Sequence, residues 1–451
     1  MSCKRPEHTH VAPFGQQLSA GKRLLPALLL SVISGHVYAA TDTSDPIRLG
    51  VMQGFPPALD KRVSKQNAFE MPNLRWALRN ARAMSPTTGI RRAPSPLALE
   101  AGEPAALDQL KFSVGGQSLS LADYLHDSFT DGFIVLHRGK LVYERYLDSF
   151  DPQQPHIWAS MTKSITGLLA AGLIAEGKLS PGAKLASYVP ELAGTPFGEA
   201  TLQENLDMQV AAQYPSQVPP DIGLFAAAGI LPRQAGMPDN IYSFLQVVSQ
   251  PQPANTTPLW FYQNGSPEAV AWAMRRVTGK SWSELVSERI WSRFAEEDAY
   301  TQVDALGTEM ASGGMSSTLR DAARFAEAVR RAWTDHRDVS PFAQAVQLAL
   351  QPNDNQALIA NSAKAKSLAG YAYRDYWYQK NDGEGSIEAG GRFGQKIYIN
   401  PKRELVIVKM SSAPDLAPRP TSADASAAPR PQGDSNAAFN SMLGALLPAL
   451  L

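Results

Sequence analysis

Ser160-Met161-Thr162-Lys163 puts a hydroxyl and an amine one helical turn apart, on one face, so that the amine can reach the hydroxyl. Burial disfavours an ammonium, and a lysine made neutral can take the proton of a serine nucleophile. A helix N-terminus adds a positive field and free N–H groups toward a developing oxyanion. The spacing alone is weak, because S-x-x-K occurs about once by chance in a chain of this length and recurs at Ser19-Ala20-Gly21-Lys22. Context separates the two. Lys163 opens a wholly apolar helix, and an unpaired lysine is almost never fully buried.

Two more segments carry candidate chemistry. Tyr262-Gln263-Asn264 offers a phenol that a nearby lysine could turn into a proton relay; the plainer reading is a core aromatic at a loop-to-helix junction, and Tyr398-Ile399-Asn400 repeats the pattern inside a strand. Ala389-Gly390-Gly391-Arg392-Phe393-Gly394-Gln395 is either a place where backbone approaches ligand or other backbone closely, or a bulge or turn. Other hydrolytic chemistries lack their residues. The one cysteine is Cys3, the G-x-S-x-G elbow is absent, and the later histidines, His126, His137, His156 and His336, stand in no catalytic frame. His156, one turn before Ser160, reads as structural or surface. No Cys/His metal spacing occurs, so neither metal nor cofactor is expected and activity should survive chelation.

These residues need elements to hold them. Phe133-Ile134-Val135-Leu136 and Leu141-Val142-Tyr143 flank the turn-forming His137-Arg138-Gly139-Lys140 and predict a hairpin. From Ser160 to Glu176 a helix is expected, with Ile165, Leu168, Leu169, Gly172 and Leu173 at helical spacing and Gly177 at its C-terminus. Residues 178–340 read as mostly helical, and within them Thr318 can cap a helix whose Asp321 suits the positive dipole end. Gln395–Asn400 and Leu405–Met410 predict a second hairpin. Tyr371, Tyr373, Tyr376, Trp377 and Tyr378 mark an aromatic strand region near the site. Residues 412–435, with five prolines and no aromatic, predict a flexible loop before a last helix, 436–450, striped by Phe439, Met442, Leu443, Leu446 and Leu447. Strands at both ends with helices between them predict an α+β fold: an antiparallel sheet from both termini, flanked by helices.

Composition bounds the function. The chain has 451 residues, with 42 basic and 42 acidic side chains, a balance that leaves no positive field for nucleic acid. Lys22 and Arg23 precede the apolar run Leu24 to Val37, which ends at Val37-Tyr38-Ala39-Ala40. That is the layout of a signal peptide over residues 1–39. The run falls short of the ~20 residues that cross a bilayer, so cleavage is favoured over a retained anchor. Removing Lys4, Arg5, Lys22, Arg23 and Glu7 leaves a net charge of −3 and no cysteine, as expected of a periplasmic or secreted protein with no membrane partner. Residues 40–110, with a helical stretch from Pro72 to Ala83, read as an N-terminal extension on a catalytic body of residues 111–451. Nothing in the sequence specifies an oligomeric state.

In this order the elements resemble the serine β-lactamase and penicillin-recognising superfamily over roughly residues 110–450. The resemblance rests on Ser160-x-x-Lys163, Gly177-Lys178-Leu179 with Tyr188-Val189-Pro190-Glu191-Leu192, Tyr262-x-Asn264, and Gly313-Gly314 with Ser317-Thr318-x-Arg320-Asp321-x-x-Arg324-Phe325. Leu206-Asp207-Met208, Gly394-Gln395-Lys396-Ile397-Tyr398-Ile399-Asn400-Pro401 and Met52-Gln53-Gly54-Phe55-Pro56-Pro57 make it most similar to the branch of 6-aminohexanoate-dimer (nylon-oligomer) hydrolases and class C-like esterases. The resemblance implies a β-lactamase/transpeptidase-like fold with a helical lobe, and cleavage of a small amide or ester through an acyl-enzyme. It implies Ser160 as nucleophile, Lys163 as base, Tyr262 as relay, the Ser160 and Arg392 amides as oxyanion hole, and Asn264, Tyr214, Gly390 and Gly391 around the substrate. Two departures stand out. Ala389-Gly390-Gly391 replaces the Lys-Thr-Gly that holds a β-lactam carboxylate, and Asp221 is the first carboxylate after Tyr214, beyond Pro215-Ser216-Gln217-Val218-Pro219-Pro220. A β-lactamase or D-alanyl peptidase, and a catalytically silent ligand- or cell-wall-binding relative, are the alternatives.

Overall fold

A computed structural model describes residues 44–251, 258–414 and 436–450. The expected signal peptide and residues 415–435 of the expected loop lie outside them. Eight strands form the main sheet, in the order 372–374, 377–379, 387–391, 395–400, 405–411, 130–137, 140–146 and 100–101. All neighbours are antiparallel except the last pair, Glu100–Ala101 beside Lys140–Tyr146. The chain's two ends meet where Leu405–Ser411 pairs with Thr130–His137.

The run Phe133 to Leu136 in strand Thr130–His137 is apolar because both faces of the strand are covered there. Ile134 and Leu136 join the large core under the helices. Phe133 and Val135, on the other face, pack with Tyr124, Phe439, Met442 and Leu446 of helices Leu121–Asp127 and Asn436–Ala449. This is the alternation that a pleated strand imposes. The turn to Lys140–Tyr146 has Arg138 at φ 52° and Gly139 at φ 74°, the two positive φ values of a type I′ turn, whose twist matches the strands.

The site-bearing helix begins differently from expectation. Ala159–Met161 is a 3-10 turn, and regular α-helix runs from Thr162 to Ala175. It ends as Gly177 suggests: the Gly177 and Lys178 amides donate to Ile174 and Leu173 carbonyls at 2.9 Å each, with Gly177 at φ 70°, a left-handed Schellman closure. Residues Thr162 to Leu173 are all buried, and each large apolar side chain so covered contributes about 1.5–3 kcal/mol. The polar residues among them are bonded outward, Ser164 Oγ to Tyr376 O at 2.9 Å and Thr166 Oγ1 to Ala311 O at 2.8 Å.

Other expected elements are present with local differences. The extension's helix is broken at Asn80 into Asn73–Arg79 and Ala81–Met84. It is stitched to the body, since Arg75 (3.2 Å) and Arg79 both pair with buried Asp131, which also meets His156 Nε2 at 2.9 Å. His156 is thus part of a buried ionic cluster. Thr87–Ile90 extends a second sheet through Ala299–Gln302, Met315–Ser317 and His156–Ile157. Asp321 does more than meet a helix dipole: it accepts the Glu296 and Glu297 amides at 2.8 and 3.0 Å while Thr318 caps the helix. Ser412 and Ala413, expected in the loop, donate their amides to Phe129 O at 2.9 Å and Phe393 O at 3.0 Å.

Behind the Ser160–Lys163 helix lies a pair of buried carboxylates. Asp207 and Asp375 share the Gln203 amide, at 3.1 and 2.8 Å, and the Asp375 N–H donates to Asp207 at 3.1 Å. Burial pushes both pKa values up, and the Asp207 charge raises Asp375 further. The folded chain therefore holds protons here that the unfolded chain has released, so stability falls as pH rises from the acid range into neutrality. Asp375→Asn is expected to flatten that fall, which thermal unfolding midpoints recorded from pH 5 to 9 would reveal.

Candidate active site

The turn carrying Ser160 is fastened from both sides. Trp158, fully buried against Trp291 and Phe325, donates its indole N–H to Ser317 Oγ at 2.8 Å and its amide to Met315 O at 2.8 Å. Ala159 follows at φ 46°, a left-handed conformation unfavourable for a residue with Cβ. It swings Ser160 into the opening 3-10 turn, where the first N–H groups have no intrahelical acceptor.

Lys163, only 1% exposed, aims Nζ at three oxygens: Ser160 Oγ at 2.9 Å, Asn264 Oδ1 at 2.7 Å and Ser312 O at 2.8 Å. The Asn264 amide is oriented because its Nδ2 donates to Asp221 Oδ1 at 2.7 Å, and a carboxylate only accepts. A neutral amine has two N–H bonds and one lone pair. Asn264 Oδ1 and the Ser312 carbonyl can only accept, so the lone pair must face the Ser160 hydroxyl, the one partner able to donate. Burial pulls the Lys163 pKa down to about 7, against opposing pulls from Asp221 and Glu268. The group therefore changes charge near neutrality.

The Tyr262 segment is oriented by the residue between its two candidates. Gln263 points away from the cavity, donating Nε2 to Val210 O and accepting from Tyr214 Oη, both at 2.8 Å. Its neighbours Tyr262 and Asn264 line the cavity instead. Burial pushes Tyr262 up to about 12, while hydrogen bonding with Ser160 and Tyr378 pulls it down. The phenol keeps its proton at neutral pH. Tyr214, named by resemblance as a substrate residue, is absent from the cavity wall; it stacks toward Phe244, at 5.9 Å between ring centres, and braces Gln263.

Strand Ile387–Gly391 closes the third side. A Cβ on Gly391 would stand 2.6 Å from the Trp158 carbonyl, so only glycine lets this strand lie against the turn that bears Ser160. For Gly391 the close-approach reading holds; at Gly390 a Cβ would meet only the Tyr378 ring at 3.8 Å. Arg392 follows, its side chain 3.5 Å from Asp221 and over the Phe225 ring. Phe393 then takes a left-handed φ of 68°, so backbone strain flanks the cavity at Ala159 and at Phe393.

Together these residues line a cavity of about 500 Å³. Ser160, Tyr262, Asn264, Gly390, Gly391 and Arg392 all reach it, with Phe69 and Leu78 of the extension, Phe225 and Phe393 as apolar wall. Asp221, Ser312 and Lys364 also line it. Asp221 was visible only as a carboxylate out of its usual place, and Ser312 only as the neighbour of Gly313-Gly314. Glu268 was missed, although a Glu among Ala and Val on a buried helix is itself a signal. Fully buried, it accepts the Ala311 and Ser312 amides at 3.1 and 2.8 Å, and so fixes the carbonyl that Lys163 uses. Glu268→Gln turns one acceptor into a donor facing an N–H. It is expected to lower kcat/KM about tenfold, the worth of one disrupted buried hydrogen bond, and to move the acid limb of the pH profile to lower pH as the charge that favours the Lys163 ammonium is removed.

A Ser-x-x-Lys at the head of a buried helix, beside a mostly antiparallel sheet and with Tyr-x-Asn opposite, is the arrangement of β-lactamase-fold serine hydrolases. A family profile described as Beta-lactamase matches residues 126–429, and the chain belongs to that family. Its sequence is 31% identical over 360 residues to the 6-aminohexanoate-dimer hydrolase of Paenarthrobacter ureafaciens, spanning 77% of this chain and 87% of that protein. A solved structure from Bacillus anthracis, provisionally assigned as a 6-aminohexanoate-dimer hydrolase, is 31% identical with a TM-score of 0.74, covering 87% of this chain and 98% of that one. A Bacteroides dorei chain provisionally assigned as a β-lactamase, 15% identical with a TM-score of 0.51 over 73% of this chain and 96% of its own, matches in fold alone. The protein is accordingly a serine hydrolase of the amide- and ester-cleaving kind. Among the described residues no helix is long and apolar enough to cross a membrane.

Proposed function

We propose that this chain is an exported hydrolase resembling 6-aminohexanoate-dimer hydrolases, cleaving a small linear amide or ester through an acyl-enzyme on Ser160. The observation that carries the reading is the set of three contacts around Lys163 Nζ, two of which can only accept. Neutral Lys163 takes the Ser160 proton as Oγ bonds to the substrate carbonyl carbon, and the Ser160 and Arg392 amides hold the oxyanion. The tetrahedral intermediate then collapses. Tyr262 gives its proton to the leaving amine or alkoxide and regains one from Lys163. Water attacks the ester so formed and releases the acid. Asn264 holds the substrate amide or ester through whichever of its bonds the substrate displaces. With no cation or hydroxyl on Ala389-Gly390-Gly391, rapid β-lactam turnover is not expected. The leader-like pattern of residues 1–39 supports export.

The test is to incubate the mature protein with a fluorophosphonate, a short p-nitrophenyl ester, a 6-aminohexanoate dimer and a chromogenic cephalosporin. A single covalent adduct mapping to Ser160, with turnover of ester or dimer, is the expected result. No adduct and no turnover would make the chain a silent relative, and rapid cephalosporin turnover would make it a β-lactamase.

A further inference from the structure

The N-terminal extension reaches the cavity with apolar side chains that neither the motifs nor the proposed mechanism uses. Phe69 is half-buried and Leu78 buried, and both line the cavity with Ser160. The family profile begins at residue 126, so this stretch of wall comes from outside the segment that it matches. Phe69 stacks on Phe393, with ring centres 5.9 Å apart and planes at 26°. Leu78 packs in one cluster with Phe393 and Ile157. The helix that carries Leu78 is anchored to the body by the pairing of Arg75 and Arg79 with Asp131.

The strand beside Ser160 gives the cavity two ends. Tyr378 stands at the first: it pairs with Glu388, and a Cβ on Gly390 would meet its ring at 3.8 Å. Tyr262 stacks on that same ring, at 6.5 Å between centres and 17° between planes. The Phe69–Phe393 pair stands at the second end, beyond Gly391 and Arg392. A substrate carbonyl whose oxygen lies between the Ser160 and Arg392 amides sends its leaving group toward Tyr262, the proton donor. Its acyl chain then runs the other way, toward Phe393 and Phe69. Apolar surface there suits a chain without charge, because an unpaired charge buried against it would lose its hydration for nothing in return.

We propose that the extension supplies an acyl-chain subsite, built by Phe69 with Phe393 and Leu78, so that the enzyme prefers amides or esters of uncharged aliphatic acids longer than acetate. This inference rests on the acyl-enzyme reading and specifies the acid half of the substrate.

The experiment measures kcat/KM on p-nitrophenyl acetate, butyrate and hexanoate, which share a leaving group and differ only in chain. In the unmutated protein kcat/KM is expected to rise about two- to threefold per added methylene, so that hexanoate exceeds acetate by about tenfold or more. Phe69→Ser should lower the hexanoate-to-acetate ratio about fivefold, whereas Phe69→Leu, still apolar, should keep most of it. A purely structural Phe69 would slow all three esters alike, and an unmoved ratio in Phe69→Ser overturns the proposal. The profile of the unmutated protein tests it without any variant: acetate turned over as well as hexanoate overturns it too. If the unmutated protein hydrolyses none of the esters and takes no fluorophosphonate, the acyl-enzyme reading fails and the proposal with it; an adduct on Ser160 with a flat chain-length profile overturns the proposal alone.

Discussion

Ser160→Ala is expected to abolish labelling by a fluorophosphonate and to lower kcat on any ester or amide substrate by about 10⁴-fold or more, the scale on which loss of a nucleophile is felt. The variant removes the one partner of Lys163 that can donate to it, leaving Asn264 Oδ1 at 2.7 Å and Ser312 O at 2.8 Å to hold the side chain. The fold should persist, because Ser160 sits in a turn held by Trp158 and Met161 rather than by its own hydroxyl. Mass spectrometry of the labelled protein and steady-state rates check this, with near-ultraviolet dichroism as the control for folding. Retention of more than about 1% of kcat would remove Ser160 as nucleophile.

Lys163→Ala should slow acylation by about 10²- to 10⁴-fold, the usual contribution of a positioned base. The unmutated enzyme carries the accompanying signature. With Lys163 held down to about 7 by burial, the neutral base disappears as pH falls through that value, so kcat/KM should drop about tenfold per unit below it and level off above. Loss of that limb in Lys163→Ala would assign it to the lysine. The same shift weakens the fold. Between about 7 and the ordinary value of 10.5 the unfolded chain binds a proton that the folded chain does not, so the native lysine destabilises the fold across the neutral range, and increasingly as pH falls toward 7. Lys163→Met, similar in length and without charge, should raise the unfolding midpoint at neutral pH while activity is lost. A normal pH profile in Lys163→Ala would eliminate the lysine as base.

The hairpins, the apolar helix and the capped helix at Thr318 were legible because each is a local pattern: alternation, helical spacing or a capping residue at a fixed offset. The start of the Ser160 helix was not, since the left-handed Ala159 and the 3-10 turn are imposed by Trp158 and by the Gly391 strand pressed against it. The extension's helix was visible, but its anchorage was not. Arg75 and Arg79 look like surface cations until Asp131, far along the chain, is folded beneath them. Tyr214 shows the converse: a place beside the substrate followed from likeness, whereas the Gln263 side chain takes its hydroxyl behind the wall.

Sequence alone determined the chemical type of this protein. A chain with one cysteine, no catalytic histidine frame and a Ser-x-x-Lys opening an apolar helix has few other ways to activate an oxygen nucleophile, and that inference needs only residue types and a spacing shorter than one helical turn. What the tertiary structure decided is which groups surround that pair. The Ser312 carbonyl, Glu268 behind it and the bridge from Asn264 to Asp221 reach the site from separate loops and helices. No local pattern records such neighbours, because loop and helix positions are set by packing of the whole core, and the electrostatics of a buried amine depend on every charge that packing brings near.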